Sequence, residues 1–400
     1  MFFQTTPRIE GKRFSIVKNI ESFYSRGFSI SRSKVFLLVA IAMMVIEASA
    51  PIYAQTVRTV GSGGTYTTLK LAFDAINAGS ITGNIELQIV GNSTETATAA
   101  LNASGTGSAN YSAISIYPTG TRTISGNLAL PIINLNDADN VTIDGRIGRT
   151  GTTKSLTLSN LNTGGSVIQF INDATSNTIK YCVVQGVNTT LTSGLIVFST
   201  GNITGNDNNT IDNCDVSAGA STPSNAIYSA GTSVAVDNSG NTISNNNILD
   251  YFNAIAASNG IYVASNSSAW TIIGNKFYQT TTRTVTTAAT IHAINIATTS
   301  GGNYSVTNNI IGHSTNTGTG TTTYAGTVAS LYRAIELNVG TNIASSVQGN
   351  TISGFSFTTS GGLTTAPGIF TGISVLGGTV NIGTVTGNTI GATTGMGDTP

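Results

Sequence analysis

The phrase NTISNNNI at residues 241–248 sets two isoleucines among amides and hydroxyls without a single charge, and it is one of a series. Its counterparts are NVTIDG from 140, NTIKYCVV from 177, NTIDNCDV from 209, WTIIGNKF from 270, YSVTNNII from 304, NTISGFSF from 350 and NTIGAT from 388. The Thr or Ser of each unit falls at 142, 178, 210, 242, 271, 305, 351 and 389, at intervals of 36, 32, 32, 29, 34, 46 and 38 residues. Upstream of it stands an apolar pair, often a small residue plus Ile: Val167–Ile168, Ala226–Ile227, Gly260–Ile261, Ala293–Ile294, Ala334–Ile335 and Gly372–Ile373. From that Ile to the Thr is 10, 15, 10, 11, 16 and 16 residues, so the variable length sits in the polar stretch between two fixed points. Loops of differing length between fixed strands produce that pattern. A unit this short cannot bury its own apolar face and must stack on its neighbours.

Composition decides what kind of stack. Only 8% of residues are charged, and Gly, Thr, Asn, Ser and Ile dominate. β-Branched residues favour strands, Asn and Gly favour turns, and the Ala, Leu, Glu and Lys of long helices are scarce. Helical solenoids are excluded, and tight two-residue hairpin turns in register, as propeller blades need, are not found. What remains is a parallel β-helix with one unit per coil.

A small residue plus Ile, a polar gap and then NTI-x-x-N-x-I resembles the repeat of right-handed parallel β-helices of the pectin-lyase-like superfamily. The segment VGSGGTYTTLKLAFDAINAG (Val60 to Gly79) is similar to the start of those domains, where a strand leads into a short capping helix. The residues agree with it: Leu69, Phe73 and Ile76 fall at helical spacing, Thr67 or Thr68 can N-cap, and Gly79 can terminate. Ile85–Val90 and Ala113–Pro118 then read as the first strands. The expected fold class is therefore all-β, a right-handed parallel β-helix solenoid with a short N-terminal capping helix. The Thr/Asn/Gly-rich whole is most similar to large secreted bacterial β-strand-repeat surface proteins. The superfamily includes pectinesterases, polygalacturonases, lyases, tailspikes and non-catalytic adhesins, so the resemblance implies a fold and no particular activity.

Residues 1–54 are different material. Seven of the 17 basic residues lie there, ahead of the apolar run Val35–Ile46, which suits a signal-peptide core better than a membrane span. Cleavage after Ala54 is preferred to cleavage after Ala50, which would leave Pro51 next to the cut. The domain reading is thus a signal peptide with a long basic region over 1–54 and a β-helix over 55–400. The last unit is followed by no recognisable cap, so truncation at the C-terminus is expected. Beyond Ala54, ten basic residues face fourteen acidic ones, which argues against nucleic acid as a partner. Localisation is expected to be extracellular or at the outer cell surface, with no transmembrane domain after cleavage.

Enzymes of the superfamily imply particular residues: paired aspartates with arginine, or Asn-Thr-Asp, Asp-Asp and Gly-His-Gly elements. Here the Asn-Thr pairs of the repeat are followed by Ile, no Asp-Asp dipeptide occurs, and His292 and His313 lie in IHA and GHS. One stretch, Asn136 to Arg149, gathers Asp137, Asp139, Asp144, Arg146 and Arg149. Carboxylates beside a guanidinium suit acid–base work or a divalent ion, calcium being the one cofactor considered. The same residues also suit coil corners closed by Asx turns and an ion pair, and that structural reading is preferred. The two histidines, twenty-one residues apart with no third ligand, are read as ordinary β-helix residues. Tyr251, Phe252, Trp270 and Tyr278 are candidates for sugar stacking, with packing the preferred reading.

Aligning the units on Thr-Ile puts Cys182, Cys214, Asn246, Asn275 and Asn309 at one site, four residues after the Thr or Ser. That site is expected to be an inward structural ladder in which amides bond along the axis. The cysteines are expected to be free, because parallel stacking aims both Cβ atoms the same way. By strand alternation Ile243 should face the core and Thr242 the solvent. The functional expectation is a non-enzymatic surface module serving adhesion or contact with glycans or cell-surface components. A polysaccharide-active lyase, hydrolase or esterase and a structural spacer are the alternatives.

Overall fold

A computed structural model describes residues 55–360 and 368–391. The signal peptide expected over 1–54 lies outside the described residues. From Gln55 onward the chain winds repeatedly through three strands, one in each of three parallel sheets. Sheet I has eleven strands, sheet II ten and sheet III nine, and each strand pairs with its equivalent one coil away. The architecture is a parallel β-helix, and strand–crossover–strand connections of this kind are right-handed.

The register explains both fixed points of the repeat. In sheet I, Thr142, Thr178, Thr210, Thr242, Thr271 and Ser305 are successive partners, with Ile143, Ile179, Ile211, Ile243, Ile272 and Val306 beside them. The Thr row is half-buried and outward, while the Ile row is fully buried. In sheet III the Ile of each small-residue pair stacks as Ile168–Ile196–Ile227–Ile261–Ile294–Ile335–Ile373. At Gly260 and Gly372 the residue preceding the Ile is small because the next coil or the facing sheet comes close: on Gly372 a Cβ would stand 2.8 Å from the Ile390 side chain. A Cβ on Gly260 would stand 2.6 Å from the Ala293 carbonyl oxygen and 2.7 Å from the Phe277 ring.

The phrases at 350 and 388 are a correction to the spacing series. Thr351 pairs with Ile310 and Thr389 in sheet II, whereas the sheet I partner of Ser305 is Ser346. The interval of 46 residues is therefore 41 in true register, and its excess arises from counting two different corners as one. Both corners need the same thing, an inward Asn, an outward Thr and an inward Ile, so they write the same phrase.

Corners turn through a left-handed residue followed by the inward one. Tyr181, Asn213, Asn245, Gly274, Asn308 and Gly349 all have φ between 52° and 68° and precede Cys182, Cys214, Asn246, Asn275, Asn309 and Asn350. Asn tolerates that conformation and Gly adopts it freely, which accounts for the amide-rich corners.

The N-terminal end is closed by α1 (Leu69–Asn77), capped by the Thr68 hydroxyl, which accepts from the Leu71 N–H at 3.2 Å. Its Leu69, Ala72, Phe73 and Ile76 are buried over the first coil. Further along, a short three-stranded sheet (Arg283–Val285, Thr322–Gly326, Phe355–Phe357) widens the connection between sheets II and III. Tyr251, Phe252, Tyr324 and Tyr332 fill that bulge with the two phenylalanines. Among the described residues no helix is long and apolar enough to cross a membrane.

Candidate functional site

The ladder residues lie at the corner between sheets I and II. Each amide is saturated: Asn275 Oδ1 accepts from Asn246 N and Nδ2, both at 3.0 Å, and Asn275 Nδ2 donates to Ile243 O at 2.8 Å and Asn309 Oδ1 at 3.1 Å. The column continues through Asn350 to Asn388, beyond the five residues aligned in the sequence. Cys214 N donates to Asn246 Oδ1 at 2.8 Å. Cys182 and Cys214 are free, buried thiols, and the adjoining Cys214 thiol together with burial pushes the Cys182 thiol well up. Two further ladders, Asn177–Asn209–Asn241 and Asn206–Asn238, line the approach to sheet I. These columns are interior and offer nothing to a ligand.

The acidic stretch is divided by the fold. Asp137 and Asp139 stand before the strand Val141–Asp144, while Asp144 and Arg146 stand at its end. Four residues of strand separate them, roughly 13 Å. Asp144 is buried and takes Arg146 Nη2 at 2.6 Å and Nε at 2.9 Å, with Lys180 Nζ at 3.6 Å. Burial raises its pKa, but the Arg146 hydrogen bonds and charge outweigh that and hold it below the ordinary carboxylate value. Arg146 lies over the Tyr181 ring, and Arg149 lies over Tyr117 while bonding Glu86 at 3.1 Å. Burial and the neighbouring Asp173 raise Asp139, which accepts the Thr175 N–H at 2.7 Å. Asp173 itself accepts four backbone N–H groups of the 202–205 loop. The Asp139, Asp144 and Asp173 carboxylates thus serve corners or an ion pair, and Asp137 turns a corner with its backbone at φ 57°. Among the described residues no group of three or more His, Cys, Asp or Glu side chains is placed to hold a metal ion.

A different constellation gathers on sheet III. The residues flanking the small-Ile pair are Asn225 and Tyr228, Asn259 and Tyr262, His292 and Asn295, Arg333 and Glu336, Thr371 and Ser374. Register stacks them into two rows, Asn225–Asn259–His292–Arg333–Thr371 and Tyr228–Tyr262–Asn295–Glu336–Ser374. His292 and Arg333 are more than nine-tenths buried. His292 Nε2 lies 3.4 Å from Glu336 Oε1, an electrostatic contact, and neither imidazole nitrogen has a close hydrogen-bond partner. Thr371 Oγ1 is buried and without a partner as well. Arg333 Nε is 3.7 Å from Glu336 Oε2. The His292 and Arg333 neighbours outweigh burial and hold the Glu336 carboxyl below its ordinary value. Asn259 Nδ2 donates to Asn225 Oδ1 at 2.7 Å, Asn295 Nδ2 reaches Asn259 Oδ1 at 3.3 Å, and Tyr228 meets Tyr262 edge to face. An unpaired buried polar group costs about 1–3 kcal/mol, so the unpartnered His292 imidazole marks a place suited to an incoming polar group, with the unpartnered Thr371 hydroxyl two strands away across Arg333.

The sequence does not announce this cluster, because His292 stands in IHA rather than in a Gly-His-Gly element and has no third ligand at metal spacing. Aligning NAIY, NGIY, HAIN, RAIE and TGIS on their Ile, rather than aligning on Thr-Ile, brings all its members together. The four aromatics weighed for stacking are all buried. Trp270 donates to Asn238 O at 2.8 Å and packs on Phe198, and Tyr251, Phe252 and Tyr278 lie at or beside the widened connection.

No family model matches the chain, and no curated protein matches it. Similar solved structures include PfbA, a surface adhesin of Streptococcus pneumoniae, 12% identical, covering 78% of this chain and 87% of that one with a TM-score of 0.35. Another is the deglycosylated pectin methylesterase of Aspergillus niger, 12% identical, covering 80% and 84%, with a TM-score of 0.33. Neither likeness assigns an activity.

Proposed function

We propose that the protein is an exported β-helix module of the extracellular space or outer cell surface that binds carbohydrate on the outer side of sheet III, without transforming it. The observation that carries this reading is the unpartnered His292 imidazole, set between Glu336, Arg333 and Asn295 and one coil from Tyr262. Sugar hydroxyls both donate and accept, and so match a cluster that mixes a carboxylate, a guanidinium, amides and hydroxyls. The half-buried Tyr262, edge to face with Tyr228, adds a ring for a pyranose. A glycan array followed by calorimetry tests it. Binding should weaken at least about tenfold in His292→Ala and Tyr262→Ala, about 1.4 kcal/mol, and stay unchanged in Asn381→Ala on sheet I. Uniform absence of binding leaves the spacer as the better reading.

One observation favours an enzyme instead: the His292 imidazole and the Glu336 carboxylate stand 3.4 Å apart. Incubation with polygalacturonate and other acidic glycans, with and without calcium, separates the two. New reducing ends or unsaturated products that vanish in His292→Ala would replace binding by catalysis.

A further inference from the structure

Where the chain turns from sheet II into sheet III, three successive loops enclose an open cavity of about 530 Å³. Ligand sites span roughly 300–1,000 Å³. Thr189 and Leu191 form one wall, Ser221 and Thr222 the next, and Phe252 to Ala256 the third. These loops lead into the sheet III strands that begin at Ile196, Asn225 and Ser258.

Much of the polar rim is spent on itself. Thr222 Oγ1 donates to Phe252 O at 2.6 Å. Asn253 Nδ2 donates to Ser224 Oγ at 2.8 Å, and Asn253 Oδ1 accepts the Ile255 N–H at 3.0 Å. Apolar side chains remain: Phe252 is buried, while Leu191 and Ile255 are 46% and 65% exposed. None of the nine lining residues is ionisable. The cavity is also tied to the row of His292. Asn225 Nδ2 donates to Leu191 O at 3.0 Å, Asn225 Oδ1 accepts from Asn259 Nδ2 at 2.7 Å, and Asn259 is the register partner of His292. Two strand spacings, roughly 10 Å, therefore separate Asn225 from the unpartnered imidazole. That is farther than one sugar ring reaches.

We propose that this cavity is a second subsite for the same glycan, shaped for a neutral sugar unit carrying a methyl-bearing substituent, either an acetamido group or a 6-deoxy carbon. The inference rests on the carbohydrate reading and adds to it a chain of two or more units, one at His292 and one in the cavity. Leu191, Phe252 and Ile255 bury the methyl, and the exposed Ser221 hydroxyl is placed to meet a polar atom of the same unit. A carboxylate or ammonium group entering here loses its water and finds no counter-charge, so uronates and deacetylated amino sugars are disfavoured.

Calorimetry with chitotriose, rhamnotriose, cellotriose and trigalacturonate tests it. Chitotriose and cellotriose share backbone and linkage and differ in the acetamido group. At least one methyl-bearing probe should bind about fourfold or more tighter than cellotriose, the worth of one buried methyl, and trigalacturonate should bind weakest. Preference for chitotriose assigns the acetamido group, and preference for rhamnotriose assigns the 6-deoxy carbon. The preference should vanish in Leu191→Asp and Ile255→Asp, whose exposed positions should leave the circular dichroism spectrum and melting onset of the parent unchanged. His292→Ala should weaken every bound probe alike and leave the preference intact. Cellotriose or trigalacturonate bound as tightly as the methyl-bearing probes overturns the subsite. So does a preference that survives both aspartates, or no binding of any of the four. In each of those cases, array binding that is lost in His292→Ala still upholds the carbohydrate reading. Conversely, a preference lost in the aspartates with affinity untouched by His292→Ala keeps the cavity and removes His292 from the glycan site.

Discussion

Replacing Asn275 by alanine removes four hydrogen bonds at once, but their loss is unequal in its consequences. Asn246 Nδ2 keeps Ile211 O at 2.9 Å, and Asn309 Oδ1 keeps the residue 275 N–H at 2.9 Å. Asn246 N and Ile243 O, both in buried residues, lose the partners at 3.0 and 2.8 Å that Asn275 supplies. At about 1–3 kcal/mol for each of these two groups, less what a trapped water recovers, the expected cost is about 2–5 kcal/mol. The same substitution at Asn388, itself half-buried in the last described coil, takes a partner from Asn350 N and from Val347 O, which keeps the Gly383 N–H at 3.0 Å, and with water at hand it should cost about 1 kcal/mol. Trp270, the sole tryptophan, is fully buried in the coil of Asn275, so its fluorescence reports that part of the solenoid during urea unfolding. This matters because stacked repeats need not unfold as one unit. The loss is read from the shift in midpoint at constant slope. A cost at Asn275 below about 1 kcal/mol, or one equal to that at Asn388, would refute the claim that saturated amides hold this corner.

Acid should weaken the Asp144 corner. Its folded pKa is depressed, so the stabilisation is complete above the unfolded value of about 3.9 and is lost as pH falls through the folded pKa. Asp144→Asn should therefore be less stable than the parent at pH 7, with the gap narrowing as pH falls below the unfolded value and through the depressed folded pKa; denaturant titrations at neutral and acid pH check this. Cys214→Asn should extend the ladder by one rung and raise stability by about 1 kcal/mol, and a urea midpoint below the parent's would count against it. In the parent, both thiols should resist a thiol reagent until urea unfolds the chain.

The fold was legible because a stacked repeat states its own register: β-branched residues alternate in and out, and amides mark corners. NTI at 241 was read correctly as a strand entering the stack, with Ile243 buried and Thr242 outward. NTI at 350 was misplaced because two corners demand the same local chemistry, and only pairing partners tell them apart. The small residue before Ile261 was visible in the sequence, but its reason, the Phe277 ring and the Ala293 carbonyl within 3 Å of a Cβ, is a contact between neighbouring turns of the solenoid.

The candidate site shows the same division. His292, Arg333 and Glu336 occupy ordinary positions of two different repeats, and no local motif announces them. They meet because strands separated by 41 residues become neighbours in a parallel stack. Asp137 and Arg146, nine residues apart, are parted because an extended strand carries the chain roughly 3.3 Å per residue. By itself, then, the sequence determined the path of the coil, since periodicity and residue size act locally and repeat. Which polar groups share a site was decided only by the tertiary structure, because the spacing across strands is far shorter than the chain between them.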